Sequence, residues 1–518
     1  MGRSGRVPFL RFRGAAFLVL ALLSCGRSVV EESIDAGTID AGTTCEVEEN
    51  GDGTKTVTCS DGTSAIVPND QYPPTQPGGT CRVANPGSPD GGISITCVGG
   101  SSCVTLEGDY YVRDNQDWVT FVRAGCTTVT GALTIGDGVK MLAPPAEALH
   151  SVGSLVVRRN LFLTTLFFPS LEVVSGELTI FYNRVATLEL PRLTTVDGSL
   201  TVEEANELTR VNMPELMVVG GDLRLIALGT YSNTLGTLAL PRLRSVTGDL
   251  HLANTPLPLN LPALTTLGSL IVDNNRLLPN LALPLLDSVG TLHVLNNPEL
   301  TSLSLPALTT VLGRVMIGNP KLTDLSLPGL TTVAGDLDLF AGQLRTLTLP
   351  ALRQTADLRV SSAWLEELNL PSLTAVAQLT LRNNLRMTSV NLPLLTTVLN
   401  GSFRTGPVLA LSENLALTSV QIPILTLVNG DVGISRNPAL TSVSLPALAS
   451  VAGDFVVSAN GVLTGLSLPE LRNVGRAMTV TTNATLRQCL VDQLRNQLTS
   501  GPQTYISSGN TGSPNICP

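Results

Sequence analysis

The sequence predicts an all-β fold, a right-handed parallel β-helix or leucine-rich solenoid of about 15 coils with disulfide-stapled caps. Residues 147–486 repeat about every 22 residues, which is typical of solenoids whose coils pack only on their neighbours. Hydrophobic residues make up 43% of the chain and aromatic residues only 4%, as expected when Leu and Val fill coils of equal size. The repeat is marked by prolines at positions 169, 191, 214, 241, 262, 284, 306, 328, 350, 371, 393, 423, 446 and 469.

Two segments of each coil alternate apolar and polar residues, as in Leu178-Thr179-Ile180 and Leu325-Ser326-Leu327. Alternation with a period of two predicts strands with one buried face. Stacked coil on coil, these strands form two parallel sheets, the first sheet and the second sheet. The proline should follow the second strand, because it cannot donate a ladder hydrogen bond. A glycine before the first strand is expected to provide a corner with positive φ, at Gly176, Gly198, Gly248, Gly313, Gly335, Gly430 and Gly453.

An asparagine recurs just after the first strand of the coil. Its side chain can bond the backbone of adjacent coils and satisfy polar groups that the turn would otherwise bury. The alternative is a polar stripe that binds a ligand. The residues concerned are Asn183, Asn254, Asn275, Asn297, Asn319, Asn437 and Asn460.

The N-terminus is typical of an export signal covering residues 1–24, with arginines at 3, 6, 11 and 13 before an apolar run. The run ends Leu22-Leu23-Ser24-Cys25-Gly26, which resembles the lipobox of bacterial lipoproteins. The resemblance implies that Cys25 is lipidated and, because Gly26 and not Asp follows, that the protein is anchored at the outer membrane or cell surface. The alternative is an ordinary signal peptide with an unrelated cysteine, which gives a secreted protein.

The other eight cysteines lie outside the repeat and suggest four disulfides in an exported chain. Chain order suggests Cys45–Cys59, Cys81–Cys97, Cys103–Cys126 and Cys489–Cys517, although other pairings are possible. The predicted organisation is a tether (25–44), two cysteine-bracketed hairpin units (45–100), an N-terminal cap (101–146), the solenoid (147–486) and a C-terminal cap with a short helix (487–518). Trp118 and Phe121 are expected to cover the open end of the first coil.

The segment Cys126-Thr-Thr-Val-Thr-Gly-Ala-Leu-Thr-Ile135 and the recurrent Leu-x-x-Val-x-Gly-x-Leu-x-Ile-x-x-Asn pattern resemble the receptor L domain, the leucine-rich β-helix of insulin-receptor-type ectodomains and fungal cell-wall proteins. The resemblance covers residues 126 to about 486. It implies the fold, but not receptor signalling, because no cysteine-rich receptor module or kinase follows. The front units and the lipobox resemble those of large exported proteins of myxobacteria-like bacteria.

The outward strand positions divide the solenoid into two unlike faces. The second-sheet column is small and polar: Glu189, Asn212, Ala239, Asn260, Ala282, Ser304, Ser326, Thr348, Asn369, Asn391, Gln421, Ser444 and Ser467. The first-sheet column is varied: Thr134, Val156, Thr179, Thr201, Arg224, His251, Ile271, His293, Met316, Asp338, Arg359 and Thr380. The candidate binding face is therefore Arg224 to Arg359 of the first sheet, unless the outward positions simply vary without function.

The formal charge of −9 disfavours nucleic acid and anionic lipid surfaces as partners and leaves the lipid anchor as the contact with a membrane. His251 and His293 lie two coils apart, roughly 9.6 Å, too far to share a metal ion. The acidic residues are interpreted as scattered, so neither an enzyme nor a cofactor is expected. The favoured function is non-catalytic binding of protein or glycan at the cell surface, in adhesion. The alternatives are a structural spacer rod and a β-helix polysaccharide-active enzyme.

Overall fold

The computed structural model describes residues 45–49, 54–59, 64–68, 79–84, 94–98, 103–228, 238–255, 259–340, 342–399 and 406–513. The chain divides into two compact units, Met1–Pro77 and Gly78–Pro518. The first unit contains an antiparallel sheet of Cys45–Glu49, Thr54–Cys59 and Ser64–Pro68. Cys45 pairs in register with Cys59, as a hairpin requires, but their side chains lie outside the described part of the chain. The signal segment, Cys25 and the tether also lie outside it.

The second cysteine-bracketed hairpin belongs to the same compact unit as the solenoid. Its strands Gly79–Ala84 and Ser94–Val98 are antiparallel, with Cys81 opposite Cys97. Gly79–Ala84 also pairs in parallel with Cys103–Glu107 and so extends the sheet of the solenoid. Cys81 is buried and disulfide-bonded.

The rest of the second unit is a parallel β-solenoid of about 17 turns, close to the expected 15. Equivalent strands of successive coils pair in parallel and in register, as expected for strands stacked about 4.8 Å apart. The first sheet consists of Tyr110–Val112, Thr128–Ile135, Ser151–Arg158, Leu178–Phe181, Leu200–Glu203, Leu223–Ile226, Leu250–Ala253, Leu270–Asp273, Leu292–Leu295, Val315–Gly318, Leu337–Leu339, Gln354–Val360, Ala375–Arg382, Leu409–Ser412, Val432–Ser435, Phe455–Ser458, Ala477–Thr481 and Thr504–Ser508.

The second sheet is made of shorter strands that end just before each register proline. It pairs in three sections, separated at Asn260/Asn280 and at Thr348/Glu367. Its strands are Thr165–Phe167, Thr187–Glu189, Arg210–Asn212, Leu238–Ala239, Leu259–Asn260, Asn280–Ala282, Ser302–Ser304, Asp324–Ser326, Thr346–Thr348, Glu367–Asn369, Ser389–Asn391, Ser419–Gln421, Ser442–Ser444 and Gly465–Ser467.

Each coil also contains a third strand, which the alternation did not reveal. It precedes the glycine and pairs in register with its equivalents, for example Thr310–Val311 with Thr332–Val333. Two residues are too few to show a period, so the two-strand prediction was incomplete. This third sheet comprises Val173–Val174, Thr195–Val196, Val218–Val219, Ser245–Val246, Thr266–Leu267, Ser288–Val289, Thr310–Val311, Thr332–Val333, Thr397–Val398, Leu427–Val428, Ser450–Val451 and Asn473–Val474, together with the first halves of the long strands of the first sheet.

The core is a column of Leu and Val contributed by all three sheets. Alternate residues of most first-sheet strands are buried, as with Leu292 and Val294, which have no solvent exposure. Most of the intervening residues face outward and are half-buried or exposed; Asp338 is a buried exception. The hydrophobic contribution is therefore distributed evenly along the solenoid, since each coil buries a similar set of side chains.

The asparagines form a buried ladder, which confirms the structural interpretation of that column. In each pair, the side-chain oxygen accepts the backbone N–H of the preceding asparagine, as Asn297 Oδ1 does from Asn275 N at 3.0 Å. The assignment of Asn254 to the ladder was wrong. Asn254 is exposed and has a φ of 50°, and Thr255 occupies the ladder position of that coil. The ladder also includes residues not foreseen: Asn160, Asn384, Asn414, Asn483 and Asn510.

The recurrent glycines do not provide the positive-φ corner, contrary to expectation. None of the seven has φ in that region; positive φ occurs instead at the residue before the ladder position, for example Tyr182, Asn274 and Asn296. The glycines are required by close approach, because successive coils touch through their backbones there. A Cβ on Gly335 would lie 2.7 Å from the carbonyl oxygen of Gly313.

Helix α1, Asn115–Ala124, covers the first coils. Asp114 caps it by accepting the N–H groups of Gln116 and Asp117, and Gly125 ends it in a left-handed conformation. Its Trp118 and Phe121 are buried, as expected, and Trp118 contacts Phe168 edge-to-face. The predicted Cys103–Cys126 disulfide is confirmed and links the segments on either side of α1.

Helix α2, Gln488–Asn496, lies at the other end, within the range predicted for a short helix. Val491 and Leu494 are buried and Leu490 packs against the core. The chain then adds Thr504–Ser508 as a last parallel strand of the first sheet, beside Ala477–Thr481. Cys489 is disulfide-bonded, while Cys517 lies outside the described residues.

Candidate binding surfaces

The outward column of the first sheet is continuous from Thr134 to Thr380. Each residue predicted for it pairs directly with its neighbour in the next coil, for example Arg224 with His251 and Met316 with Asp338. The predicted binding-face residues Arg224, His251, Ile271, His293, Met316, Asp338 and Arg359 therefore form one row across seven coils.

Charged residues in this row are paired within the sheet. The Nε of Arg224 donates to Glu203 at 3.0 Å. Farther along, Asp338 has a side chain only 3% exposed and accepts hydrogen bonds from Arg314 and Arg359. Burial lowers the pKa of Arg359, but its hydrogen bonds to Asp338 and neighbouring carboxylates outweigh burial and raise that pKa above its ordinary value.

The interpretation of the acidic residues as scattered was wrong at this point. Asp336, Asp338 and Asp357 come from consecutive coils, and all three contact the guanidinium of Arg359. They were missed because only one outward column was compared, and Asp336 and Asp357 occupy the column beside it. We call Arg314, Asp336, Asp338, Asp357 and Arg359 the ionic cluster. Its two arginines and three aspartates are paired with one another and leave one net negative charge.

Polar groups near the centre of the row have fewer hydrogen-bond partners than those of the ionic cluster. His251, Ile271 and His293 stand in register, with Ile271 between the two histidines as expected. Nε2 of His293 and Oδ1 of Asp273 are buried atoms without a hydrogen-bond partner among the described residues. Unsatisfied buried polar atoms are uncommon because each costs about 1–3 kcal/mol. His293 in the row and Asp273 in the neighbouring column are therefore the least satisfied polar side chains of this part of the first sheet, although both atoms are buried.

His251 should make stability depend on pH. Burial and, after it, the charge of Arg224 lower the pKa of His251, and Asp273, Glu203 and Asp249 oppose them. A lowered pKa means that the folded state resists protonation. Stability from His251 is thus complete above pH 6.5 and is lost as the pH falls through 6.5 toward the folded-state pKa. We expect His251→Gln to reduce the loss of thermal stability between pH 7 and pH 5, measured by circular dichroism.

The control for this experiment is His150→Gln, since His150 is exposed. This variant should retain the full pH dependence of the wild type. Acidic residues also begin to titrate toward pH 5 and affect all variants alike. The effect of His251 is therefore the difference in pH dependence between the two variants. An unchanged pH profile in His251→Gln would contradict the prediction.

The second sheet presents a uniform surface. Its outward column pairs in register within each section, as in Ala282, Ser304, Ser326 and Thr348. Most of these residues are small, polar and exposed. The contrast between a varied first sheet and a uniform second sheet is therefore present in three dimensions as well as in sequence. The side chain of Ala239 lies outside the described part.

A cleft at the N-terminal end of the first sheet was not predicted. It has a volume of about 380 Å³ and is lined by Tyr111, Thr134, Val156, Arg158 and Arg159, among others. Thr134 and Val156 were recognised as outward residues, but Arg158 and Arg159 follow Val156 by two and three residues, at the end of the strand and at the corner. The signal available in the sequence was the pair of adjacent segments Arg158-Arg159-Asn160-Leu161-Phe162 and Phe181-Tyr182-Asn183-Arg184, which place arginines and aromatic residues together in two successive coils.

Other functional features are few in the described part of the chain. No group of three or more His, Cys, Asp or Glu side chains there is arranged to hold a metal ion. Neither of its helices has the length and apolar character needed to cross a membrane. Comparisons of the chain with protein-family models, curated proteins and solved structures found no match.

Proposed function

We propose that this chain is a non-catalytic, exported binding protein, anchored at the outer membrane or cell surface through Cys25. Its solenoid presents the first sheet to protein or glycan partners in adhesion. The observation that supports the proposal is the unbroken row of varied outward side chains on the first sheet, opposite a uniform second sheet. Wide, regular sheets of solenoids suit large or extended partners.

The contact is centred on Ile271, His293 and Met316. The ionic cluster and Arg224 are already paired within the sheet, so they contribute shape and rigidity more than charge. Ile271 and Met316 add half-buried apolar surface on either side of the His293 ring, whose Nε2 is buried. Apolar and aromatic side chains are common at the centre of a recognition surface.

Replacing Ile271 and Met316 together with glutamate should weaken attachment of the purified protein to intact cells by about tenfold or more, since buried apolar anchors dominate interfaces. Binding is measured by flow cytometry over a concentration series. The matched control is Ala282→Glu with Ser304→Glu, which adds the same charge to exposed positions of the second sheet. Equal binding by both double variants would remove the assignment to the first sheet. Absence of wild-type binding to any cell or glycan would favour a structural spacer rod.

A polysaccharide-active enzyme is the second candidate, and the ionic cluster is the observation that favours it. Glycan-cleaving sites bring carboxylates together, as this cluster does. However, each carboxylate is hydrogen-bonded or ion-paired to a guanidinium, and Asp338 is almost fully buried. Incubation of the protein with a panel of polysaccharides, followed by an assay for new reducing ends, separates the two functions. Product formation that Asp338→Asn abolishes would establish the enzyme.

A further inference from the structure

The first coils carry the main aromatic surface of the described chain. Aromatic residues are rare in this protein, yet three of the four exposed ones in its described part, Tyr111, Phe162 and Tyr182, lie here; the fourth is Phe340. Phe181 stands beside Tyr182, with ring centroids 6.4 Å apart. Single exposed apolar residues are ordinary, but exposed aromatic rings grouped in the first coils are typical of an interaction site.

The strand register brings these rings together with two arginines. Tyr111, Thr134 and Val156 form one column across three coils, and Tyr111 and Val156 both line the cleft. In the neighbouring column, Arg158 pairs directly with Phe181 of the next coil. At the corner, Arg159 and Tyr182 occupy equivalent positive-φ positions of the same two coils.

The two arginines are available to a ligand. Arg224 and Arg359 of the first sheet are paired with carboxylates, whereas Arg158 and Arg159 are exposed and form no ion pair within the described part of the chain. Asp137 also lines the cleft without pairing to either of them. Two unpaired guanidinium groups in a chain of net charge −9 form a local site for one or two negative charges.

We propose that this cleft binds an acidic glycan, a sugar chain bearing carboxylate or sulfate groups. Arg158 and Arg159 bind the anionic group through charge-assisted, bidentate hydrogen bonds. Tyr111 and the Phe181–Tyr182 pair supply apolar ring faces against which the C–H face of a sugar packs. A cleft of about 380 Å³ lies at the small end of ligand sites and suits one or two sugar units of a longer chain.

A single-stranded nucleic acid also combines aromatic stacking with arginine contacts, but the surroundings disfavour it. Glu203 continues the column of Arg158 and Phe181 in the next coil, and Glu204 continues the corner column of Arg159 and Tyr182. A polyanion with a charge on every unit would be repelled at this boundary. A glycan whose charges are spaced by hydroxyl-bearing rings fits between Asp137 and these glutamates.

The inference rests on the proposed binding function but uses a different part of the first sheet. The test is calorimetric titration of the full mature chain with oligosaccharides of hyaluronan and of unsulfated chondroitin, in which every second sugar carries a carboxylate, and with a keratan sulfate fragment. The methyl-esterified hyaluronan oligosaccharide, which has the same sugars without the charge, and an oligothymidylate serve as comparison ligands. We expect binding of at least one acidic oligosaccharide and about tenfold weaker binding of the esterified form.

The variants locate the site. Arg158→Gln with Arg159→Gln should weaken binding of the acidic oligosaccharide by about tenfold or more, and Tyr111→Ala by about fivefold, with unchanged circular dichroism. The matched control is Arg382→Gln with Arg436→Gln, since these arginines occupy the same two strand positions in later coils but pair with Glu413. The control should bind like the wild type.

Three results would overturn the inference: no binding of any acidic oligosaccharide, equal affinity for the esterified form, or equal losses in the two double-arginine variants. Tighter binding of oligothymidylate than of every glycan would assign the cleft to nucleic acid instead. The Ile271→Glu, Met316→Glu variant should retain glycan affinity while losing attachment to cells. Glycan binding at the cleft and attachment to cells through Ile271 and Met316 are thus measured separately, so either proposal can be refuted without the other.

Discussion

Replacing Asn297 with alanine should lower the free energy of unfolding of its part of the solenoid by about 3 kcal/mol. Asn297 is fully buried, and its Nδ2 donates to the carbonyl of Val272 at 3.0 Å and of Leu295 at 2.9 Å. Its Oδ1 accepts both the backbone N–H and the side-chain amide of Asn275. Alanine satisfies none of these groups, and each unpaired buried group costs about 1–3 kcal/mol.

The measurement combines thermal unfolding with hydrogen exchange at the amide of Asn275, which loses its acceptor and should exchange faster. Local exchange is needed because long repeat arrays do not unfold in a single two-state step. Asn391→Ala is the control, since Asn391 is exposed on the second sheet and should change stability by no more than about 0.5 kcal/mol. Equal stability of the two variants would show that the ladder contributes little.

Replacing Gly335 with alanine should cost about 1–3 kcal/mol, because the added Cβ overlaps backbone and not a movable side chain. That Cβ would lie 2.7 Å from the oxygen and 2.8 Å from the carbon of the Gly313 carbonyl. The same carbonyl accepts the N–H of Gly335 at 2.9 Å, so the two coils cannot separate without weakening this hydrogen bond. Ala356 holds the equivalent position of the next coil and bonds Gly335 at 3.0 Å, but there the chain runs as one continuous strand, Gln354–Val360, whereas at Gly335 the strand is interrupted.

Gly461→Ala is the matched control for Gly335→Ala. A Cβ on Gly461 meets nothing within 4 Å, and its φ is not positive. Alanine there restricts the unfolded chain and should be neutral or stabilising by up to about 1 kcal/mol. Thermal unfolding of both variants therefore gives opposite signs if close approach is the reason for the glycine. A destabilisation of the same size in both would refute that reason.

Features set by the short period of the strands could be predicted from the sequence. Alternation placed Leu292 inside and His293 outside, and the proline register aligned each outward residue with its true neighbour. Buried asparagines such as Asn297 were assigned a bonding role from their position after the strand. These inferences succeeded because every coil repeats one local pattern, so a single alignment of coils contains the tertiary contacts.

Features that depend on comparing different columns could not be predicted in this way. The ionic cluster requires Asp336 of one coil to meet Arg359 of the next at a neighbouring strand position. The cleft likewise requires Tyr111, from before the repeat begins, to stand in the column of Thr134 and Val156. The predicted role of the recurrent glycines was wrong for another reason. The sequence shows that a small residue is needed at these positions, but it does not show whether a positive φ or a close contact with the next coil requires it. The identity of any partner is set by side-chain surroundings that the period does not constrain.

The asparagine ladder also bears on how the length of this protein can change. Between Asn384 and Asn510, each coil offers its neighbour on one side a backbone donor and its neighbour on the other side an amide acceptor, as Asn437 does between Asn414 and Asn460. Removing or duplicating one whole repeat leaves every such bond replaceable by an identical one. A gain or loss of a single residue within a strand breaks these bonds, because it moves the following side chains of that strand from the buried face to the exposed face and the reverse. The coil is therefore the natural unit of growth, and the length of the solenoid can vary in steps of one coil while both capped ends stay as they are.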